Sequence, residues 1–427
     1  MKLLLKKIRL LNPEQQLDEV SDLLIEDGII VKIGNIRESS ADRILEFEGK
    51  IAVPGLYDMH VHLREPGRED EETITTGSNA AAAGGFTGIA CMPNTNPTID
   101  SAEVVASIIE KSKKHLVDVH PIGAVTMGRN GEKLSPFAEL SEAGAVAFSD
   151  DGTAVKTAEI VRHALEYLSM YNVPLIEHCE DESLAGGSMN ESKNSTLLGL
   201  PPIPSVAEDL IVMRDIQIAE YTNGNVHIAH ISTKNGVQLV RDAKAKGLKI
   251  TAEATPHHFT LIDDSLKTYD TNFKMNPPLR KQEDVDAIIK GLQDGTIDCI
   301  ASDHAPHSIE EKEMEFIYAP NGIIGLETQL GLTISELVNK GFLTLEQMVE
   351  KLSINPRKIL NISIPKFEIG ETANITIIDT DKIWTVDVKK FKSKSKNSPF
   401  NNRLLTGQSV AVINNGQLFF EDEFVKL

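Results

Sequence analysis

The strongest structural signal in this chain is the stretch Tyr57-Asp58-Met59-His60-Val61-His62-Leu63-Arg64-Glu65-Pro66-Gly67. Side chains of a β-strand alternate between its two faces, so His60 and His62 leave the same face while Val61 points the other way. Neutral imidazole is a common zinc ligand, and two such groups at a strand end make half of a metal site. The alternative is a pair of solvated histidines near a turn, and the rest of the chain must decide.

Composition excludes several classes of partner. The chain has 427 residues and a formal charge of −20, and a protein this acidic does not hold a nucleic-acid backbone non-specifically. No uninterrupted apolar run approaches the ~20 residues of a membrane span. Three scattered cysteines without a Cys-x-x-Cys pair argue against a disulfide framework and for a reducing compartment. We therefore expect a cytoplasmic protein with neither a nucleic-acid nor a membrane partner.

The two ends of the chain both predict β-hairpins. Asp27-Gly28 lies between two apolar runs, and Asn415-Gly416 follows a second such run near the C-terminus. Neither end has enough strands to bury a sheet face alone, so we expect them to pair into one small β-sandwich domain. The predicted boundaries are 1–51 and 366–427 for the small domain and 52–365 for an inserted domain. A basic loop, 389–396, is predicted to be solvated.

The middle of the chain alternates between short apolar runs and segments of helical character. Eight buried strands alternating with helices predict an α/β fold, the (β/α)8 or TIM barrel. The predicted strands are 56–62, 88–92, 117–125, 145–148, 173–178, 226–231, 248–252 and 298–302. The clearest predicted helices are 71–83, 102–114, 157–171, 205–221, 236–246 and 283–292.

Histidine and aspartate recur where the predicted strands end, which is where such barrels place their chemistry. Any one of these residues could be a satisfied core or loop residue, but five of eight strand ends supply one. Four histidines with one or two carboxylates suffice for one zinc with an open position or for two bridged zincs. The residues are His60 and His62, Asp150 and Asp151, His178, His230, and Asp303.

Beyond these residues, the chain resembles the dihydroorotases of the amidohydrolase superfamily over almost its whole length. Met-Pro-Asn-Thr followed by Asn-Pro-Pro-Leu-Arg narrows the resemblance to the longer bacterial members. The matching blocks are Tyr57–Gly67, Met92-Pro93-Asn94-Thr95-Asn96-Pro97, His178-Cys179-Glu180-Asp181, Thr255-Pro256-His257-His258, Met275-Asn276-Pro277-Pro278-Leu279-Arg280, Ser302-Asp303-His304-Ala305-Pro306-His307, Gly322–Thr328 and Asn355-Pro356.

The resemblance implies one or two zinc ions per chain, with two favoured. Many relatives bridge their metals with a carboxylated lysine after strand four, but no lysine lies between Ala145 and Gly152. In this branch the matching residue is an aspartate, which we assign to Asp151 rather than Asp150. The implied ligands are His60, His62 and Asp303 for one zinc, His178 and His230 for the other, and Asp151 between them.

The implied reaction is the reversible hydrolysis of dihydroorotate to N-carbamoyl-L-aspartate in de novo pyrimidine (UMP) biosynthesis. Zinc would lower the pKa of water and polarise the amide carbonyl, while Asp303 would transfer the proton as the catalytic residue. Arg64 would bind the substrate carboxylate, unless it merely pairs with a neighbouring acid such as Glu65 or Asp58 to brace its loop. The implied substrate-binding set is His62, Arg64, Asn94, Asn276, His307, Asn321 and Gly322, with Asn321 standing where many relatives have an aromatic residue.

Other functions remain as alternatives at this point. A hydantoinase or allantoinase would share the fold and the metals, although the block from Met92 to Pro97 and the missing lysine argue against both. A non-catalytic homologue that serves as a partner of aspartate carbamoyltransferase would be expected to lose metal ligands, and none is lost here. The resemblance also favours a homodimer and admits aspartate carbamoyltransferase as a partner.

Overall fold

The computed structural model describes residues 1–427, the whole chain. Its strands are β1 (Lys2–Asn12), β2 (Leu17–Glu26), β3 (Ile29–Ile33), β4 (Arg43–Glu46), β5 (Ile51–Pro54), β6 (Leu56–Val61), β7 (Phe86–Cys91), β8 (Asp118–Pro121), β9 (Gly123–Ala124), β10 (Phe148–Ser149), β11 (Leu175–Glu177), β12 (Met189–Asn190), β13 (Pro202–Ile203), β14 (Val226–Ile228), β15 (Ile250–Ala254), β16 (Cys299–Ile300), β17 (Ile375–Thr385), β18 (Leu404–Asn414), β19 (Gln417–Phe420) and β20 (Glu423–Lys426). Its helices are α1 (Ile74–Gly84), α2 (Ala102–Ser112), α3 (Phe137–Ala143), α4 (Ala158–Leu168), α5 (Lys193–Leu198), α6 (Val206–Thr222), α7 (Lys234–Ala245), α8 (Gln282–Asp294), α9 (Ile309–Lys312), α10 (Gln329–Thr333), α11 (Leu345–Val349) and α12 (Asn355–Ile359), with single π-helical segments at Ile334–Val338 and Glu350–Ile354.

Parallel strands form a closed barrel in the middle of the chain. β6, β7 and β8 pair in that order, and a second run pairs from β9 through β10, β11, β14 and β15 to β16. β8 and β9 are the two halves of one strand interrupted at Ile122. The ring closes where the N–H of His62 donates to the carbonyl of His304 at 2.8 Å. The predicted eight-stranded barrel is therefore confirmed.

Local sequence signals explain where the surrounding helices begin. Each of four helices starts directly after a serine or threonine whose side chain accepts a hydrogen bond from a backbone N–H of the first turn, as N-cap residues do. These caps are Thr73 for α1, Ser101 for α2, Thr157 for α4 and Thr233 for α7. The six predicted helices are all present, with ends shifted by a few residues.

The small domain is built from both ends of the chain, as predicted. Its nine-stranded sheet runs β20-β19-β18-β17-β5-β1-β2-β3, with β4 beside β1. The two ends meet where β5 pairs antiparallel with β17. The sheet encloses its own core of 17 buried apolar residues, drawn from both termini, so neither end alone could bury that face. The domain boundaries at 51/52 and 365/366 stay a prediction.

The basic loop in the second half of the small domain does not match its prediction. Ser393 and Ser395 are 1% and 5% exposed, and the segment lies against the barrel. The prediction of a solvated connection was wrong for Ser393 and Ser395, which are buried, while Lys389, Lys390 and Lys394 are exposed as the lysine content suggested.

Two further findings concern composition. The three cysteines are all buried and free. No helix of the structure is both long and apolar enough to cross a membrane.

Candidate active site

Six side chains meet inside the carboxyl end of the barrel, and we call them the rim. All six are less than a tenth exposed, and His60 and His62 are 0% and 5% exposed, which excludes a pair of solvated histidines. Each follows or closes a barrel strand, as the sequence predicted. The rim consists of His60 at the end of β6 and His62 just after it, Asp151 after β10, His178 after β11, His230 after β14 and Asp303 after β16.

Asp151 lies at the centre of the rim. Its Oδ1 is 3.4 Å from His60 Nε2, 3.7 Å from His178 Nδ1 and 3.6 Å from His230 Nε2. Its Oδ2 is 3.5 Å from His62 Nε2. One carboxylate therefore faces all four histidines, which is the arrangement that a bridging ligand requires.

Asp303 is the second carboxylate of the rim and lies beside His60 and His62. Its Oδ1 lies 3.2 Å from His62 Nε2 and 3.6 Å from His60 Nε2. Two overlapping groups of side chains thus present donor atoms within 4.8 Å of one another, namely His60, His62 and Asp303, and His60, Asp151 and His230. His178 joins the second group through a 3.0 Å contact between its Nδ1 and His230 Nε2.

The rim fits a divalent metal. His60 Nε2 and Asp151 Oδ1 are buried polar atoms with no hydrogen-bond partner, and such atoms are costly unless something binds them. Imidazole nitrogens and carboxylate oxygens are the donors that zinc prefers. The donor set therefore suits one metal, or two that share Asp151.

The neighbouring carboxylate, Asp150, faces away from the rim. It accepts hydrogen bonds from the N–H of Thr126 at 3.0 Å and from Thr126 Oγ1 at 2.5 Å. Burial raises the pKa of Asp150, and these two bonds partly offset that effect. Of the two adjacent aspartates, only Asp151 faces the histidines.

Glu253, which the sequence analysis missed, holds two rim residues from below. It is fully buried, and its Oε1 lies 2.6 Å from His60 Nδ1 and accepts from the N–H of His230 at 3.3 Å. A carboxylate on Nδ1 directs Nε2 of the same ring to a metal, as in many zinc sites. The available signal was a carboxylate directly after the predicted strand 248–252.

The rim attracts positive charge. Burial disfavours the charged form of His178, but the Asp151 and Glu180 carboxylates outweigh it and raise the pKa of His178 to about 10. Burial likewise opposes ionisation of Asp303, yet its hydrogen bond with His62 and the charge of nearby histidines hold its pKa well below the ordinary value. The carboxylates are therefore ionised and favour a cation among them.

A cavity of about 220 Å³ opens on the rim and brings the predicted substrate-binding residues together. Drug-sized ligands occupy ~300–1,000 Å³, so this cavity suits a small ring. A larger cleft of about 510 Å³ lies beside the small sheet and contains no histidine, so we place the chemistry in the smaller one. The cavity is lined by His62, Arg64, Asn94, Asp151, Gly152, His178, His230, Asn276, Asp303, Ala305, His307, Asn321 and Gly322.

Arg64 enters the cavity already held by its neighbours. Its Nε donates to the carbonyl of Pro306 at 3.0 Å and lies 3.1 Å from Glu71 Oε2, while its Nη2 is 3.3 Å from His307 Nε2. Neither of the two acids suggested for a brace, Glu65 and Asp58, pairs with Arg64; the acid that it contacts is Glu71, so the bracing alternative stays open with a different partner. Nη1 keeps its donors for another partner.

Two asparagines connect the rim to the cavity. Asn94 Oδ1 lies 2.8 Å from His62 Nδ1 and so orients that ring. Asn276 Nδ2 donates to Glu180 Oε2 at 2.9 Å and lies 3.4 Å from His178 Nε2. Asn276 Oδ1 is buried without a partner, which leaves an acceptor for a ligand. The sequence analysis gave Glu180 no role, although it stands in the quoted block His178-Cys179-Glu180-Asp181.

His307 and the stretch Asn321-Gly322 close one side of the cavity. His307 Nε2 lies 2.8 Å from the carbonyl of Asn321, and burial together with the Arg64 and Lys312 charges lowers the pKa of His307 to about 3. The N–H of Gly322 donates to the backbone carbonyl of Lys274 at 3.0 Å. The N–H of Asn321 is therefore the backbone donor of this stretch that stays free for a ligand.

Three residues of the site have left-handed backbone conformations. The φ angles are 59° for Arg64, 31° for His230 and 48° for Asp303. Such conformations cost roughly 1–3 kcal/mol each for residues other than glycine and persist where the surrounding structure imposes them, often at functional sites. Three of them within one cavity favour a functional origin.

Solved structures share this fold over the whole chain. The L-hydantoinase (dihydropyrimidinase) from Arthrobacter aurescens matches with a TM-score of 0.87 and 25% identity, covering 100% of this chain and 97% of the other. The dihydropyrimidinase from Brevibacillus agri matches with a TM-score of 0.86 and 21% identity, covering 100% and 96%. These similarities agree with a barrel and a small β-domain made from both termini.

Sequence comparisons identify the family to which the chain belongs. A family model described as dihydro-orotase-like matches residues 49–236. A dihydroorotase from Acetivibrio thermocellus is 50% identical over 423 residues, covering 99% of both chains. A dihydroorotase from Pelotomaculum thermopropionicum is 49% identical over 427 residues, covering all of both chains. With relatives this similar over its full length, the chain belongs to the dihydroorotase family.

Proposed function

We propose that this protein is a zinc-dependent cyclic amidohydrolase that interconverts dihydroorotate and N-carbamoyl-L-aspartate in pyrimidine biosynthesis. One observation carries the proposal. The same cavity of about 220 Å³ is lined by rim side chains on one side and by Arg64, Asn276 and His307 on the other. A small ring with an amide and a carboxylate is the kind of substrate that such a pair of walls would bind.

The rim would hold up to two zinc ions. His60, His62 and Asp303 would bind one of them, His178 and His230 would bind the other, and Asp151 would lie between them. Bound zinc supplies a Lewis acid that activates water and polarises a carbonyl. His60 Nε2 and Asp151 Oδ1 support this assignment, because each is a buried atom that can coordinate a metal and has no hydrogen-bond partner.

Asp303 is proposed to transfer the proton. Asp303 lines the cavity, and its Oδ1 is 3.2 Å from His62 Nε2. Asp151, the other rim carboxylate, is instead surrounded by the four histidines. A carboxylate in the place of Asp303 can accept the proton of the attacking water and deliver it to the leaving amide nitrogen. Such acid–base catalysis contributes ~10²–10⁴ in rate.

Arg64 and Asn276 are proposed to orient the substrate ring. The Nη1 donors of Arg64 can bind a carboxylate, which distinguishes dihydroorotate from neutral cyclic amides. The free Oδ1 of Asn276 can accept from a ring N–H. The two groups would fix the ring with its scissile amide towards the rim.

A panel of cyclic amides tests the proposal. The purified protein should hydrolyse dihydroorotate, followed by its ultraviolet absorbance, and should also form it from N-carbamoyl-L-aspartate. Dihydrouracil, hydantoin and allantoin should be turned over at least ~10-fold less efficiently, because they lack the carboxylate that Arg64 binds. Faster turnover of hydantoin or allantoin than of dihydroorotate would point to a hydantoinase or allantoinase and refute the assignment.

The quaternary structure is part of the proposal. We propose a cytoplasmic homodimer, with aspartate carbamoyltransferase as a partner. Light scattering of the purified protein, alone and mixed with that enzyme, would test both associations.

A further inference from the structure

The segment 392–398, which we call the strap, connects the small domain to the substrate side of the cavity. By substrate side we mean the wall formed by Arg64, His307 and Asn321-Gly322. Its backbone N–H groups at Lys392 and Ser393 donate to Glu327 at 3.0 and 3.1 Å, and the N–H of Lys394 donates to Glu72 at 3.0 Å. The Ser395 hydroxyl donates to the carbonyl of Glu71 at 2.7 Å. The strap is therefore fastened along its length to the barrel.

Asn397 is the part of the strap that contacts the loops lining the cavity, although it does not line the cavity itself. Its side-chain Oδ1 accepts from the N–H of His307 at 3.2 Å. Its Nδ2 donates to the carbonyls of Ala305 at 3.0 Å and Gly322 at 3.1 Å. Its own carbonyl accepts from the N–H of Ile324 at 2.9 Å. With a side chain only 4% exposed, Asn397 bridges two loops that are separate in sequence.

Those two loops carry proposed substrate contacts. One loop bears His307 and the other bears Asn321 and Gly322, and all three line the cavity. The loops already touch closely, because a Cβ built on Gly322 would lie 2.7 Å from Ala305 Cβ and 3.1 Å from His307 Nε2. Their spacing therefore sets the width of the cavity at this side.

Other contacts between the loops do not replace Asn397. The N–H of Ala305 donates to the carbonyl of Ile323 at 2.8 Å, and Lys312 Nζ donates to the carbonyl of Gly322 at 3.1 Å. The His307 ring also contacts the carbonyl of Asn321 at 2.8 Å. None of these three contacts holds the backbone of His307. Only Asn397 hydrogen-bonds to the His307 N–H and the Gly322 carbonyl with one side chain.

We propose that Asn397 is a positioning residue for substrate binding, which sets the spacing between His307 and Asn321-Gly322. The inference rests on the proposed function, since it assigns to those residues the role of contacting dihydroorotate. It adds that the cavity is incomplete without a residue from the C-terminal half of the small domain. Asn397 touches no rim residue, so the role concerns substrate affinity and leaves the metals bound.

Three variants test this role. Asn397→Ala removes every side-chain bond, and Asn397→Asp keeps the acceptor for His307 while turning a carboxylate oxygen towards the two carbonyls. The matched control is Asn401→Ala, four residues further on, whose Oδ1 accepts only from the N–H of Val388 within the small domain. For each protein, KM and kcat for dihydroorotate, zinc content and Tm are measured.

We expect KM to rise about tenfold in Asn397→Ala, with kcat changed less than KM and zinc content unchanged, since several neutral hydrogen bonds are lost. Asn397→Asp should raise KM at least as much, and it provides the test if the alanine variant does not fold. Asn401→Ala should keep the wild-type KM. A normal KM in either Asn397 variant with its zinc bound, whatever its Tm, would overturn the role. Failure of the wild type and Asn401→Ala to hydrolyse dihydroorotate would instead overturn the proposed function, and this role with it.

Discussion

The rim and the substrate side of the cavity are built in opposite ways. Rim residues such as His60 and Asp151 come from strand ends of one barrel, and some of their buried atoms have no partner within the protein. The substrate side, formed by Arg64, His307 and Asn321-Gly322, comes from loops whose polar atoms mostly bind one another or the strap. The rim has unpartnered buried atoms that fit a metal, whereas the substrate side is held in place by contacts within the protein.

This difference predicts that the two sides can be impaired separately. A rim variant should lose metal together with catalysis, because its side chains are the proposed ligands. A variant on the substrate side should lose affinity or selectivity while its metals stay in place. The predictions below run from the largest expected effect to the smallest.

Asp151→Ala should have the largest effect. Because Asp151 faces all four rim histidines, we expect loss of one metal and a fall in kcat beyond the ~10²–10⁴ of a single acid–base group. Elemental analysis and turnover of dihydroorotate measure both. Asp150→Ala is the matched control, since Asp150 binds Thr126, and it should keep both metals. If only the Asp150 variant lost metal, the bridging role would have to be assigned to Asp150 instead of Asp151.

Asp303→Asn should come next. The amide keeps the shape of the side chain but cannot accept and return a proton, so kcat should fall by roughly 10²–10⁴. Metal content is measured beside turnover, because Asp303 is also a proposed ligand. Near-normal turnover with full metal content would mean that another group transfers the proton.

Arg64→Met should have an intermediate effect confined to the substrate side. Loss of a charge-assisted hydrogen bond should lower kcat/KM for dihydroorotate and N-carbamoyl-aspartate ~10–100-fold, with both metals bound. Arg68→Met is a close control, because Arg68 also contacts Glu71 at 3.0 Å but does not line the cavity. If both variants lost only thermal stability and kept their kcat/KM, Arg64 would be a brace.

Glu327→Gln should have the smallest effect on turnover and should appear only as a pH dependence of stability. Burial raises the pKa of Glu327 to about 8, with Glu72 adding to the rise and Lys396 opposing it. The folded chain therefore holds a proton that the unfolded chain releases near pH 4.5. This contribution to stability is complete below that pH and is lost as the pH rises through about 8.

The comparison to make is between wild type and Glu327→Gln at several pH values. The glutamine keeps an acceptor for the strap but cannot titrate. As the pH rises, the free energy of unfolding of the wild type should therefore fall relative to that of the variant by at most ~1.4 kcal/mol per pH unit. Urea unfolding between pH 5 and 8 measures the difference. A difference that stays constant over this range would show that Glu327 does not hold its proton.

The same contrast explains what the sequence could predict. Each rim residue follows an apolar run, and a barrel brings its strand ends together, so the positions of His178 or Asp303 along the chain suffice to predict a cluster. The fold followed from the same alternation, and the hairpin turns at both ends predicted their pairing. Family resemblance added Asn276 and His307, which no local pattern singles out.

Contacts between distant segments could not be predicted in this way. Glu71 and Arg64 are close in sequence, but the loop between them decides that they pair, and nothing in the composition distinguishes Glu71 from Glu65. The basic loop 389–396, which overlaps the strap, was predicted to be solvated because its lysines suggested exposure. Its burial depends on Ser393, Ser395 and Asn397 meeting barrel residues that lie far away along the chain.

The central claim is that the rim holds the metal used for hydrolysis of dihydroorotate. The most direct measurement follows zinc content and turnover in one preparation, first as purified, then after chelation and dialysis, and finally during stepwise return of zinc. The account predicts that activity disappears with the metal and returns in proportion to it, reaching its plateau at no more than two zinc ions per chain. Full activity in protein that elemental analysis shows to be free of transition metal would contradict it.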